Sequence, residues 1–257
     1  MSVTNVRTDM TDTEEWNARV DLAAAYRLCH MMGWSDMLGT HISCRVPGTD
    51  DHFLINPYGL LFDEITASSL ITCDIDGNQL SESPHGVPFA GFLTHSAIHM
   101  HHKDAHAVMH CHTREGVAVA SQKQGLLPLT QMALAMPYYE LRYHDFEGIG
   151  RDLDERERLV QSLGDGTMLI LRNHGTLTIG TTVADMFARM VRLERACKFQ
   201  IAAQSGGAEL NHLPPDIVDA AMRQRGGFMT TGRATGNALL WAALKRRLDR
   251  LEPDYAS

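Results

Sequence analysis

The sequence predicts a single α/β domain built on a mixed, largely antiparallel sheet. Strand-like segments alternate with helical ones along the chain, and short turns join neighbouring strands into hairpin-like pairs. The 257 residues, of which 44% are hydrophobic, are sufficient to bury a substantial core. We expect residues 13–205 to form this domain, preceded by a flexible leader at 1–12. Residues 206–257 read as a C-terminal extension, a Gly/Pro-rich segment and an amphipathic helix that serve as a lid or interface arm.

The first half of the chain predicts two helices that enclose three strands. A capping box at Asp12-x-x-Glu15 starts the first helix, whose apolar residues recur at helical spacing. Turn residues Pro47–Asp51 separate the first two strands, and Asp76-Gly77 ends the third. The expected elements are a helix that stops at Gly33, strands over 40–46, 52–56 and 70–75, and a helix over 90–102.

The second half alternates strands and helices more regularly. A long helix with one apolar stripe ends at Gly206-Gly207, and a last amphipathic helix holds Leu239 to Leu251. The expected elements before these are a strand over 106–112, a helix over 113–124, a strand and loop over 137–149, a helix over 152–163 and strands over 167–172 and 176–179, with the long helix over 182–204.

Charge and composition exclude several classes of function. The net charge is −8 and the isoelectric point is about 5.9, which disfavours nucleic-acid binding. The longest uncharged apolar stretch, residues 125–139, is 15 residues long and holds two prolines, so no membrane span is expected. Five cysteines without a CxxC pair predict free thiols, and the start of the chain lacks the pattern of a signal peptide. These features predict a cytoplasmic protein.

Histidine is the unusual residue type, with 14 copies in the chain. His110 and His112 end an apolar strand, and residues two apart on a strand point to the same face. That is the geometry of two ligands for one metal ion, and His174, at the end of another apolar strand, is the candidate third ligand. The alternative is that these three are semi-buried or loop histidines without a metal.

A second histidine group lies on the predicted helix over 90–102. His95, His99, His102 and His106 follow one another at spacings of three or four residues. This group could be a helix-borne site or a His-rich exposed face, and His95 could instead pack under the first group.

Four segments in order resemble the class II aldolase/adducin family, and the segment Tyr143–Gly148 looks most like its adducin-head-like bacterial branch. The resemblance runs over about residues 15 to 205 and implies an α/β/α three-layer fold with a central, mostly antiparallel sheet. It also implies a homotetramer with sites near subunit interfaces, and a divalent ion, usually Zn²⁺ with Mn or Fe as alternatives, on His110, His112 and His174. The segments are Gly39–Gly48, His52–Thr66, Val108–Thr113 and Leu169–Gly175.

The sequence departs from the sugar-phosphate aldolases of that family at the residues that serve phosphate and catalysis. Gly91 stands where the resemblance places the catalytic Glu, and an aromatic-lined wall replaces a hydroxyl-rich phosphate cradle. We therefore expect an unphosphorylated substrate, since a phosphate in such a wall would be unpaired. The substituted positions are Phe89 and Ala90 for two serines, Tyr58 for the threonine of a Pro-Thr-Gly phosphate turn that keeps its glycine as Gly59, and Thr40 for an asparagine.

These departures predict a metal-dependent carbon–carbon lyase that decarboxylates a hydroxy-aromatic or keto acid, because loss of CO₂ needs no base at position 91. His95, Tyr58 or Tyr139 are the candidate proton donors, and the partner is a small-molecule carboxylate. The expected substrate-binding positions are Thr40, Asn56, Gly59, Phe89, Gly91 and Gln131. Aldolase activity on an unphosphorylated substrate stays open. The other hypotheses are a non-haem iron oxygenase acting on an aromatic acid and a non-catalytic adducin-like oligomeric module.

Overall fold

The computed structural model describes residues 3–102, 105–136, 138–148 and 154–257, and these contain seven strands and seven α-helices. The strands are β1 (His41–Arg45), β2 (His52–Ile55), β3 (Ile71–Asp74), β4 (Ala107–Cys111), β5 (Leu141–His144), β6 (Met168–Leu171) and β7 (Gly175–Gly180). The helices are α1 (Val3–Met31), α2 (Phe89–His101), α3 (Arg114–Ala120), α4 (Gln131–Ala135), α5 (Glu155–Leu163), α6 (Val183–Ser205) and α7 (Pro215–Leu251).

All seven strands form one sheet in the order β3-β2-β1-β4-β7-β6-β5. Every neighbouring pair is antiparallel except β5 and β6, which are parallel. The predicted mostly antiparallel sheet is therefore confirmed. In the register of β1 and β4, His41 lies directly opposite His110, which brings two histidines together at the centre of the sheet.

Helices cover both faces of the sheet, and β4 shows how the sequence divides them. Met109 and Cys111 belong to a core with α1, α6 and the end of α7. Val108 belongs to the opposite core with α2 and α5. Because side chains alternate along a strand, His110 points to the same side as Val108. The result is the expected three-layer α/β/α arrangement, with the histidines on the α2 and α5 side.

Helix α1 begins at Val3, so residues 3–12, expected as a flexible leader, continue the helix. The segment contains neither Gly nor Pro, and no residue in it stops a helix before Gly33. The predicted cap at Asp12 therefore lies inside α1.

Helix α7 is also longer than expected, because it starts at Pro215 rather than near Leu239. Proline fits the first turn of a helix, and an interior glycine costs about 1 kcal/mol without ending it. The last turns belong to the main core, where Trp241 and Leu248 are buried. The role of residues 206–257 as a lid or interface arm stays a prediction.

Two further expectations can be compared with the described part of the chain. None of its helices is both long and apolar enough to cross a membrane. All five cysteines are buried free thiols, as expected.

Candidate metal centre

Three histidines meet where β4 ends and β7 begins. His110 lies in β4, His112 follows it, and His174 lies on the tight turn between β6 and β7. The ring centroids are 4.5, 4.7 and 4.9 Å apart, and one nitrogen from each ring lies within 4.8 Å of the others. The predicted triad is thus assembled by the fold.

The turn that carries His174 depends on its two neighbours. Asn173 has a left-handed backbone with φ 58°, a conformation that asparagine tolerates. A Cβ at Gly175 would lie 2.4 Å from the carbonyl oxygen of Cys111. Glycine therefore allows β7 to approach β4 closely enough for His174 to reach the other two rings.

Hydrogen bonds determine which ring nitrogen of His110 and of His112 faces the centre of the triad. Nδ1 of His110 donates to the carbonyl oxygen of Thr176 at 3.0 Å, and Nδ1 of His112 donates to Oδ2 of Asp36 at 2.9 Å. In neutral rings both Nε2 atoms are then lone-pair donors, and they lie 2.8 Å apart. Two lone pairs at that distance repel each other unless a cation lies between them. The donor set therefore fits a divalent metal ion.

Burial keeps the imidazoles of His110 and His174 in the neutral form that a metal ligand requires. Burial is the main cause that holds the pKa of His110 well below its usual range, and the neighbouring histidines lower this pKa further. Burial and His112 lower the pKa of His174 to about 4. Protons therefore do not compete for these nitrogens near pH 7.

A buried carboxylate braces the strands behind the triad. Glu194 on α6 accepts hydrogen bonds from the hydroxyls of Thr113 and Thr176, the latter at 2.7 Å. Thr176 is the residue whose carbonyl orients His110. Burial raises the pKa of Glu194. Helix α6 thereby fixes the spacing of β4 and β7 at the site.

Replacing Asp36 with alanine is expected to weaken metal binding by about 10- to 100-fold, the usual cost of losing a partner that orients a ligand. Asp36 is half exposed, so its removal leaves the core intact. Competition with a chelator measures the affinity. The matched control is Asp51→Ala, which removes an exposed carboxylate beside a histidine outside the triad. Equal affinities for Asp36→Ala and the unmodified chain would contradict the role of Asp36.

The triad opens into a cleft of about 290 Å³. Apolar and charged side chains share its walls, and Arg172 is the one guanidinium among the described residues that line it. Its Nε lies 3.3 Å from Asp145, and its guanidinium lies over the ring of Tyr143. The lining residues other than the triad and Arg172 are Gly39, His41, Thr94, His144, Asp145, Phe146, Glu147, Gly148, Glu155, Leu159 and Leu171.

The ring of His41 covers Gly91, which lies in the first turn of α2. A Cβ at this position would lie 2.2 Å from Cδ2 and 2.7 Å from Nε2 of His41. No real side chain tolerates such contacts, so His41 occupies the space that a side chain at position 91 would need. The His41 ring can lie here only because residue 91 has no side chain.

The three expected proton donors lie at different distances from the cleft. His95 is buried beneath it and contacts His41 and Ser43, as the packing alternative anticipated. Tyr58 and Tyr139 are each 54% exposed and do not line the cleft. The catalytic roles of all three stay predictions.

The expected substrate-binding residues are also dispersed. Buried Asn56 accepts a hydrogen bond from Tyr26, and buried Thr40 has a hydroxyl without a partner among the described residues. Gly59 lies in a turn against His85, and Gln131 is exposed at the start of α4. The side chain of Phe89 lies outside the described residues. Their roles in binding stay predictions.

Four residues that sequence reasoning missed complete the site: Asp36, His41, His144 and Arg172. His41 and Arg172 adjoin residues that were singled out, Thr40 and His174, and the alternation of β1 could have favoured His41 over Thr40. No sequence signal pointed to Asp36, because it reaches His112 from a loop 76 residues away.

The family profile described as Class II Aldolase and Adducin N-terminal domain matches residues 20–201. The chain belongs to this class II aldolase/adducin family. It is 50% identical over 243 residues to a Caulobacter vibrioides protein named for the aldolase class 2 group, covering 94% of this chain and 93% of that protein. The expected family and fold are thereby confirmed.

Two solved structures of this family are similar across nearly the whole chain. An aldolase II superfamily protein from Pseudomonas syringae is 48% identical, with a TM-score of 0.88 over 95% of this chain and 96% of that one. An L-fuculose 1-phosphate aldolase from Glaciozyma antarctica is 25% identical, with a TM-score of 0.82 over 95% and 94% of the two chains.

Proposed function

We propose that this chain is a divalent-metal-dependent carbon–carbon lyase that decarboxylates an unphosphorylated hydroxy-aromatic or keto acid. The observation that carries the proposal is the triad, where the Nε2 lone pairs of His110 and His112 face each other 2.8 Å apart beside a cleft. Membership of a family of metal-dependent lyases supports the same reaction class.

The charges of the cleft favour a singly charged substrate over a phosphorylated one. Asp145, Glu147 and Glu155 line the cleft, and Arg172 is the one guanidinium among its described lining residues. Even with a divalent cation on the triad, a phosphate dianion would bring two negative charges to one guanidinium, whereas one carboxylate needs only one cationic partner.

Arg172 is the residue suited to hold that carboxylate. It lies two residues before His174, is partly exposed, and forms its ion pair among the described residues with the exposed Asp145 through a 3.3 Å contact. A planar guanidinium binds a carboxylate through two parallel hydrogen bonds. The substrate would then span from Arg172 to the triad, with its hydroxyl or keto oxygen at the histidines.

In the proposed reaction the bond between the carboxyl carbon and its neighbour breaks. CO₂ leaves, the electron pair passes to the neighbouring oxygen as an enolate or phenolate, and a proton then adds to carbon. A divalent cation on the triad, when bound, stabilises negative charge on that oxygen. The protein positions the acid through Arg172, and the packed wall of Leu159 and Leu171 excludes water.

The first experiment is elemental analysis of protein purified without an affinity tag or a chelator. About one Zn or Mn per chain leads to a screen of hydroxy-aromatic and keto acids for CO₂ release. About one Fe leads instead to oxygen uptake with the same acids, and uptake coupled to product would replace the lyase by an oxygenase. No metal after reconstitution would contradict the enzyme and favour the adducin-like module.

With an acid that releases CO₂, Arg172→Gln is expected to raise KM by about 10- to 100-fold, because a charge-assisted pair contributes about 1.5–3 kcal/mol. Arg250→Gln is the matched control, since Arg250 is exposed at the end of α7 and does not line the cleft. Steady-state CO₂ release measures both variants. An unchanged KM for Arg172→Gln would exclude Arg172 as the carboxylate partner.

Aldol cleavage is the second candidate, favoured by the similarity to the L-fuculose 1-phosphate aldolase. The same screen separates the two reactions, because cleavage of an unphosphorylated hydroxy-keto acid yields an aldehyde and no CO₂. We also propose a homotetramer, which light scattering of the purified protein would test.

A further inference from the structure

A chain of hydrogen bonds runs through the protein directly beneath the cleft. It joins side chains of β1 and α2, all of them buried, and ends on the backbone after α2. Its contacts are His41 Nδ1 to His95 Nε2 at 2.9 Å, His95 Nδ1 to Ser43 Oγ at 2.7 Å, Ser43 Oγ to His99 Nε2 at 2.8 Å, and His99 Nδ1 to the carbonyl oxygen of Ala105 at 2.7 Å.

The carbonyl at the end of the chain sets the direction of every bond in it. A carbonyl only accepts, so Nδ1 of His99 carries a proton and Nε2 of a neutral His99 does not. The single hydroxyl hydrogen of Ser43 is then donated to His99, and Ser43 accepts from Nδ1 of His95. Nε2 of His95 accepts in turn from Nδ1 of His41.

All three rings are neutral in this environment. Burial lowers the pKa of His99 to about 3 and holds the pKa of His95 well below its usual range, and the ring of His41 is itself buried against His95. No carboxylate bonds to any of the three rings among the described residues. A neutral ring has one proton, and each of these protons is on Nδ1.

We infer that His41 presents an unprotonated Nε2 to the cleft, and that His95, Ser43 and His99 are positioning residues that fix this tautomer from the carbonyl of Ala105. His41 lines the cleft with its ring centroid 5.3 Å from that of His110. Its Nε2 has no hydrogen-bond partner among the described residues. Because Gly91 has no side chain, nothing at that position displaces the Cδ2–Nε2 edge of the His41 ring.

This nitrogen recognises a hydrogen-bond donor, and in the hydroxy acid proposed as substrate that donor is a hydroxyl. A substrate with a hydroxyl next to the oxygen held at the triad would be distinguished from its deoxy analogue, which leaves the acceptor unpaired. This assignment to a substrate rests on the proposed function. The tautomer itself does not, and it can be measured without turnover.

Neutron diffraction from deuterated protein loaded with Zn²⁺ tests the tautomer directly. The expected result is deuterium on Nδ1 and none on Nε2 in all three rings. Deuterium on Nε2 of His41 would overturn the inference. Because no substrate is present, this result is independent of whether any acid releases CO₂.

Nitrogen-15 NMR of histidine-labelled, Zn²⁺-loaded protein tests the chain of bonds. Ser43→Ala interrupts it, so the Nε2 signal of His41 is expected to move toward the protonated position. Ser162→Ala is the matched control, because it removes a His–Ser bond to another cleft residue, His144 at 2.9 Å. That variant should shift His144 and leave His41 unchanged. An unchanged His41 in Ser43→Ala would overturn the role of the chain, and if that variant does not fold the neutron result decides.

Discussion

His110→Ala is expected to abolish metal binding and, with it, catalysis. Two remaining imidazoles do not hold a divalent ion tightly, and the loss should exceed the about 100-fold cost of removing an outer partner. The change also removes a donor from the carbonyl of Thr176, so a modest loss of stability of about 1–3 kcal/mol accompanies it. Metal content by elemental analysis and affinity by chelator competition measure the effect.

His106→Ala is the matched control for this prediction. His106 is an exposed histidine at the start of the same strand, outside the triad. The His106→Ala variant should keep one metal ion per chain at unchanged affinity. Retention of metal and activity by His110→Ala, with the fold intact by circular dichroism, would show that the triad is not the metal site.

Gly91→Ala is expected to destabilise the protein by about 1–3 kcal/mol, the usual cost of overpacking. Elsewhere in a helix the same change stabilises by about 1 kcal/mol through propensity. Here the new methyl would lie 2.2 Å from Cδ2 of His41, so the ring must move and its bond to His95 is lost. The free energy of unfolding in denaturant measures the change.

A double-mutant cycle assigns that loss to the contact with His41. His41→Ala alone opens a cavity and leaves His95 without its donor, whereas the added methyl of Gly91→Ala fits the vacated space. We expect a favourable coupling of about 0.5–3 kcal/mol in the double variant. Gly86→Ala, where a Cβ meets nothing within 4 Å, is the neutral control. Additive effects of the two changes would contradict the contact.

Much of the fold could be predicted because alternation and turn residues are local signals. The sheet strands fall where the pattern places them, and the pairing of His110 with His112 follows from strand geometry alone. The helix ends were less predictable, since α1 and α7 extend through segments whose composition neither requires nor stops a helix. Tertiary packing, rather than local propensity, decides such cases.

The site was predictable only where its residues share a strand or a turn. His41 lies at the cleft because β1 pairs with β4 in a register that places it opposite His110. The register between strands that are distant in the chain cannot be read from a single sequence. The same holds for Asp36, which reaches His112 across the end of the sheet. Gly91 was recognised as a departure, but the ring that fills its place was not.

The close contact of Gly91 and His41 also limits which substitutions this chain can accept at position 91. A side chain introduced at position 91 would collide with the His41 ring. A substitution of His41 would leave the buried Nε2 of His95 without its hydrogen-bond donor. Each single step therefore passes through a less stable protein, although both together restore good packing. Positions 41 and 91 are therefore expected to change together, so that single substitutions give no stable route to a side chain at position 91.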